Sequence, residues 1–140
     1  MSTFNVKLAE VVKRDPRYTY EAYEFVFQAL HHAQKSLGRV PAPGAREEEV
    51  AAEPRHHVSG PELLEGARVL ALQQFGLMAR TVLRMWGIGK TDDIGEIVFN
   101  LIEAELMSKT ADDTREDFHD VFDLDTALVH GYRIEVDEAR

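Results

Sequence analysis

The stretch that decides the fold is residues 58–86, which read VSGPELLEGARVLALQQFGLMARTVLRMW. Ser59, followed three residues later by Glu62, is a capping box, in which each side chain accepts a hydrogen bond from the other residue's backbone N–H. Pro61 falls in the first helical turn, where a backbone N–H would have no helical partner. Apolar residues then recur at helical spacing up to the next turn, so the sequence predicts one long helix over 61–86.

Two glycines interrupt this helical pattern, Gly66 and Gly76. In a helix interior each glycine lowers stability by about 1 kcal/mol relative to alanine. A helix that carries two such residues is expected to let a neighbouring element approach closely at those points.

Four further segments have helical periodicity, and they span 4–14, 19–37, 92–107 and 114–122. The widest apolar face belongs to 92–107, which predicts a central helix packed on two sides. The sequence therefore predicts an all-α fold, a single compact domain of four to five helices. We expect the 61–86 and 92–107 helices to pack face to face at its centre.

Two segments lack the helical period. Residues 39–57 combine proline and glycine with a run of charged side chains, which predicts a flexible loop. Near the C-terminus Tyr132, Ile134 and Val136 alternate with charged residues. This alternation predicts either a short C-terminal strand or a tail that is extended or paired with a partner.

The composition limits the class of protein. The chain has 140 residues, 44% of them hydrophobic and 29% charged, and no cysteine. Its length is that of about one domain with a core of its own, and the missing cysteines exclude disulfides, thiolate catalysis and Cys-containing zinc sites. Neither a secretory signal nor an apolar run long enough for a membrane span is present. We therefore expect a cytoplasmic protein with no membrane contact.

The charge is concentrated in one quarter of the chain. Residues 92–125 carry twelve acidic and two basic side chains, a net of −10, whereas the whole chain carries −9. Such a surface repels nucleic-acid phosphates and attracts basic proteins. The sequence thus predicts a protein partner with a basic surface, bound by seven carboxylates: Asp92, Asp93, Asp112, Asp113, Glu116, Asp117 and Asp120.

A metal-assisted enzyme is the alternative. Side chains three or four residues apart share a helix face, and four potential ligands have this spacing: Glu116, His119, Asp120 and Asp123. Other catalytic patterns are missing from the sequence, since it has neither Gly-x-Ser-x-Gly nor His-Glu-x-x-His. No catalytic residue or cofactor is therefore assigned, and a non-enzymatic protein is favoured.

The segment Gly87–Thr91 invites two nucleotide-related interpretations. It contains Gly-Lys-Thr before a helix, as a P-loop does, but Arg84 stands where a Walker A loop needs its first glycine. It also joins two helices at the spacing of a helix-turn-helix motif. The second helix would have to read DNA without a single Lys or Arg between Thr91 and Ser108, so nucleic-acid binding is disfavoured.

Several blocks together resemble a small bacterial family of conserved hypothetical proteins over residues 10–125. The blocks are Arg14-Asp15-Pro16-Arg17-Tyr18, His57-Val58-Ser59-Gly60, Trp86-Gly87-Ile88 and Asp93-Ile94-Gly95-Glu96. The resemblance implies a bacterial, cytosolic, stand-alone domain and brings no activity, cofactor or catalytic residue. The favoured function is a protein-interaction or regulatory module that uses its acidic helical face, with homo-oligomerisation left open.

Overall fold

A computed structural model of the chain describes residues 3–38, 58–107 and 115–130. These ranges contain five α-helices: α1 (Thr3–Arg14), α2 (Tyr20–Ser36), α3 (Gly60–Phe75), α4 (Ala79–Met85) and α5 (Thr91–Glu103). Single turns of 3-10 helix lie at Gly76–Met78 and Arg115–Phe118, and a π-helical turn lies at Thr126–His130. The all-α prediction is confirmed. Among the described helices, none combines the length and apolarity needed to cross a membrane.

The first two helices lie where the sequence places them, and the start of α3 does as well. Thr19 caps α2, and its hydroxyl accepts a hydrogen bond from the backbone N–H of Ala22 at 3.3 Å. The capping box before α3 is also present, because Ser59 N–H donates to Glu62 Oε1 at 3.0 Å and Glu62 N–H donates to Ser59 Oγ at 3.2 Å. Local capping chemistry therefore fixes these helix starts.

The prediction of one long helix over 61–86 is wrong, because the helix breaks at Gly76. This glycine has φ +52°, a left-handed value outside the helical range, and a 3-10 turn follows it before α4 begins. Glycine adopts this conformation without the clash that a Cβ would cause. The predicted single helix is thus two helices, α3 and α4, separated by the 3-10 turn that begins at Gly76.

The central helix pair also differs from the prediction. The most extensive helix contact joins α2 and α3, whereas α3 and α5 contact each other only slightly. Gly66 permits the close packing of α2 on α3: a Cβ at this position would lie 2.9 Å from Ala33 Cβ and 3.1 Å from the carbonyl oxygen of Ala29. The close approach expected at Gly66 is therefore confirmed, while Gly76 forms the break.

Helix α5 packs on two sides, as its wide apolar face predicts. One side contacts α1, α2 and α3, and the other contacts the 115–118 turn. The helix is shorter than the predicted 92–107 because it ends at Glu103, and Glu105 then takes a left-handed φ of +62°. Its buried residues are Thr91, Ile94, Gly95, Ile97, Val98 and Leu101.

The predicted helix over 114–122 is reduced to one 3-10 turn in the described part. Phe118 and Val121 are three residues apart, so a helix would place both on one face, but Phe118 is buried and Val121 is 40% exposed. The cause is a change of direction after the turn, where Asp120 has a left-handed φ of +46°. The loop predicted at 39–57 and the strand predicted at 132–136 lie outside the described residues.

Candidate functional site

The 115–118 turn is fastened to the helices by the ring of Phe118. This residue is 4% exposed, and glycines from two helices make room for it. A Cβ at Gly95 would lie 2.6 Å from Phe118 Cβ, and one at Gly60 would lie 3.3 Å from the ring. The ring of Phe99 meets it edge to face at a centroid distance of 6.3 Å. The turn is therefore held by close packing that larger residues at 60 and 95 would prevent.

Thr91, the first residue of α5, holds the same turn by hydrogen bonds. Its buried hydroxyl donates to the carbonyl oxygen of Phe118 at 2.7 Å and accepts from the backbone N–H of Val121 at 3.1 Å. Its side chain thus connects α5 with a segment almost thirty residues further along the chain, which no local sequence signal indicates.

Asp92 binds the end of this segment. One carboxylate oxygen accepts from the backbone N–H of Asp120 at 3.0 Å, and the other lies 2.7 Å from Nδ1 of His119. The Asp120 N–H and His119 lower the pKa of Asp92. The hydrogen bond and charge of Asp92 raise the pKa of His119, with a smaller contribution from Glu116. The two side chains thus favour a carboxylate–imidazolium pair.

Asp93 has an entirely different environment from its neighbour. One carboxylate oxygen accepts from the hydroxyl of Tyr18 at 2.7 Å, and the other accepts from the backbone N–H groups of Gly89 and Lys90 at 2.8 and 3.1 Å. Burial and this carboxylate raise the pKa of Tyr18 well above its usual value. Asp93 therefore fixes the turn before α5 onto the start of α2, and its role in partner binding stays a prediction.

The turn between α4 and α5 packs tightly against the turn between α1 and α2. Thr19 N–H donates to the carbonyl oxygen of Trp86 at 3.2 Å. Gly87 has φ +98°, and a Cβ there would collide with the carbonyl oxygen of Arg17. Gly87 thus permits a close approach between the two turns, and α5 itself packs against other elements on two sides.

A second polar network was not found by sequence reasoning. Asp15 accepts from Arg17 Nε at 2.8 Å and from Asn100 Nδ2 at 2.9 Å, and Asn100 also donates to the hydroxyl of Tyr23 at 3.0 Å. These donors, with Arg17 first, hold the pKa of Asp15 well below its usual range. The only sequence signal is local, since Asp-Pro-Arg is typical of an Asx turn.

Glu96 extends this network toward the acidic segment. Its carboxylate lies 3.2 Å from Nε of Arg115 and 3.7 Å from a terminal nitrogen of Arg17. The guanidinium of Arg115 also lies 4.8 Å from the ring centre of Phe99. A shallow cleft of about 180 Å³ lies beside these groups, and it is lined by Asp92, Gly95, Glu96, Arg115, Glu116 and His119.

The structure divides the carboxylates predicted to bind a partner. Glu116 and Asp120 are exposed, and Asp117 is half-buried. A Cβ at Gly60 would lie 2.8 Å from Asp117 Cβ, so this residue belongs to the packed side of the turn. Asp92 and Asp93 are engaged internally as described above, and Asp112 and Asp113 lie outside the described residues.

The four residues of the predicted metal site do not surround one point. His119 turns to Asp92, while Asp123 accepts from the backbone N–H groups of Asp125 and Thr126 at 2.8 and 3.2 Å. Across residues 3–38, 58–107 and 115–130, no group of three or more His, Asp or Glu side chains is placed to hold a metal ion. The predicted combination of Glu116, His119, Asp120 and Asp123 therefore gains no support from the geometry.

A larger open cleft lies elsewhere, between α1 and the end of α5. It measures about 590 Å³ and is lined by both signs of charge: Lys7, Glu10, Lys13, Arg14, Glu103, Ala104 and Glu105. Its lining contains no serine, threonine or histidine that could form a nucleophile–base pair.

Comparisons of the chain with known protein families, with curated proteins and with solved structures give no match. The resemblance to a bacterial family of conserved hypothetical proteins stays a prediction.

Proposed function

We propose that this protein is a non-enzymatic interaction module that binds a partner with a basic surface. The contact is made by the exposed carboxylates of residues 115–120, here called the acidic turn. The observation that carries the proposal is the packing of Phe118 between Gly60 and Gly95, which holds the acidic turn rigidly on the helices. A fixed array of charges loses less conformational entropy on binding than a mobile one.

Within the acidic turn, Glu116 and Asp120 are the two carboxylates that we propose contact the partner. Both side chains are exposed, and neither has an ion pair with Lys or Arg within the described residues. Arg115, in the same turn, is instead paired with Glu96. Two carboxylates without a Lys or Arg partner among the described residues are thus presented on a segment whose Arg115 and His119 are paired with Glu96 and Asp92. The cysteine-free composition supports a cytoplasmic location.

The test is a binding experiment with isosteric neutral variants. The protein is immobilised, partners are retained from a bacterial extract, and retention by Glu116→Gln/Asp120→Asn is compared with that of the unmodified chain. Asparagine is chosen at 120 because it tolerates the left-handed φ of this position. We expect loss of a salt-sensitive partner, since exposed ionic contacts weaken as salt rises.

The matched control is Glu10→Gln/Glu24→Gln, which neutralises two exposed carboxylates on α1 and α2. Both double variants change the net charge from −9 to −7, because each removes two negative charges. If the control loses the partner to the same extent, only net charge matters and the acidic turn has no specific role. Equal retention by both variants and the unmodified chain would also contradict the proposal.

A further inference from the structure

Two adjoining clefts lie between α1 and the end of α5, and no residue of the acidic turn lines them. The larger is the cleft of about 590 Å³ described above. The smaller, which we call the inner cleft, measures about 300 Å³ and is lined by Val11, Arg14, Asp15, Asn100 and Glu103. Arg14 and Glu103 line both clefts, so the two meet at these side chains. Both volumes fall in the range of small-molecule sites, about 300 to 1,000 Å³.

The charged side chains of the larger cleft have no ionic partners among the described residues. Three are cations and three are carboxylates, and all six are exposed: Lys7, Glu10, Lys13, Arg14, Glu103 and Glu105. None of them forms an ion pair with another residue of the described ranges. Even Glu10 and Arg14 stay apart, although a spacing of four residues favours ion pairing on a helix. Opposite charges that share a cleft without pairing are available to a ligand that carries both signs.

The inner cleft also has a polar side chain in a fixed orientation, Asn100. Its Nδ2 donates to Asp15 Oδ2 at 2.9 Å and to the hydroxyl of Tyr23 at 3.0 Å, which uses both of its N–H bonds. Asp15 stays ionised because its pKa is held well below the usual range, and a carboxylate can only accept hydrogen bonds. The nitrogen of Asn100 must therefore face Asp15. Its amide oxygen, which accepts from no donor in the described part of the chain, is left for a ligand.

The two carboxylates at the end of α5 are not explained by helix stability. Glu103 is the last residue of α5, where the negative end of the helix dipole opposes a carboxylate, and the last turn has no basic residue. Glu105 takes a left-handed φ of +62° just past the helix end, where glycine is favoured. Residues that work against the local fold in this way are typical of functional sites.

We propose that the inner cleft binds the ammonium and carboxylate groups of a free α-amino acid. The ligand carboxylate pairs with Arg14, and the ligand ammonium group donates to Glu103 and to the amide oxygen of Asn100. In an α-amino acid the two charged groups are attached to the same carbon atom, which suits a small cleft that carries both signs. The ligand side chain extends toward the larger cleft. This binding site is independent of the function proposed for the acidic turn.

The test is an NMR titration of the isotope-labelled full chain, which follows the side-chain amide signals of Asn100. The probe is L-glutamine, because neither sign of charge in the larger cleft repels its uncharged side chain. Two analogues each lack one charge: N-acetyl-L-glutamine has no ammonium group, and the α-amide of L-glutamine has no carboxylate. We expect saturable shifts with L-glutamine and at least about tenfold weaker binding of each analogue, since each loses a charge-assisted hydrogen bond.

Two neutral variants assign the two ends of the ligand. Arg14→Gln should remove the preference for L-glutamine over its α-amide, and Glu103→Gln should remove the preference over N-acetyl-L-glutamine. The charge-matched controls are Lys35→Gln and Glu24→Gln, at exposed positions of α2, and both should keep the two preferences.

Three results would overturn the proposal. The first is the absence of a saturable shift at Asn100 with L-glutamine. The second is equal binding of L-glutamine and its two analogues by the unmodified chain. The third is a control variant that loses a preference to the same extent as its test variant, because net charge alone would then account for the binding.

Discussion

Replacing Phe118 with alanine tests whether the acidic turn is an integral part of the fold. Full burial of a phenylalanine side chain stabilises a protein by about 1.5 to 3 kcal/mol, and Phe118 is 4% exposed. The edge-to-face contact with Phe99 adds about 0.5 to 1.5 kcal/mol. The glycines at 60 and 95 offer no side chains to fill the space, so a cavity remains. We therefore expect the free energy of unfolding to fall by about 3 to 4 kcal/mol.

The assay is urea unfolding, followed by amide hydrogen exchange at two positions. The backbone N–H of Val121 donates to the Thr91 hydroxyl, and that of Asp120 donates to the Asp92 carboxylate. Both amides should lose protection in Phe118→Ala, because the packing that holds these hydrogen bonds is removed.

The matched control for this experiment is Val121→Ala, three residues further along the chain. Val121 is 40% exposed, so its truncation should change the free energy of unfolding by less than about 0.5 kcal/mol. A loss below about 1 kcal/mol in Phe118→Ala, with both amides still protected, would refute the conclusion that this ring fastens the acidic turn.

Two further predictions concern the turns around α5. Gly87→Ala should lower the thermal midpoint by several degrees, since a Cβ at φ +98° collides with the Arg17 carbonyl oxygen; an unchanged midpoint contradicts this. Because the pKa of His119 is raised in the folded state, its pairing with Asp92 stabilises the fold when His119 is protonated. This contribution is fully present below the ordinary pKa of 6.5 and is lost as pH rises through the higher folded-state pKa. The pKa of Asp92 is shifted in the opposite direction. Its stabilising contribution is present above the ordinary pKa of 3.8 and is lost only as pH falls through the lower folded-state pKa. His119→Gln should therefore be less stable than the unmodified protein near pH 6 and about equal near pH 9 in urea unfolding; a difference that grows with pH refutes the pairing.

Local sequence signals predicted the helix starts well because the interactions concerned are local. The Ser59–Glu62 capping box and the Thr19 cap each join residues three apart, so the sequence contains both partners in one window. The break at Gly76 was missed for the opposite reason. A glycine within an apolar period is compatible with a continuous helix or with a turn, and tertiary packing decides between them.

The two neighbouring aspartates at the start of α5 illustrate what could not be predicted at the site. In the sequence Asp92 and Asp93 look like equivalent members of an acidic surface. The helix turns each by about 100° from the other, so Asp93 meets Tyr18, 75 positions earlier, while Asp92 meets His119, 27 positions later. Which partner each side chain finds depends on how distant segments pack, and no single window contains that information.

The internal use of carboxylates changes what the acidity of this region implies. Within residues 92–125, Asp92, Asp93 and Glu96 accept hydrogen bonds or pair with cations, and Asp125 pairs with Arg80. The net charge of this stretch therefore overstates the charge that a partner would meet. A partner that reads only total charge would bind many acidic proteins equally well. In the function proposed above, specific recognition therefore depends on the positions of Glu116 and Asp120, which the packing of Phe118 maintains, rather than on the number of carboxylates.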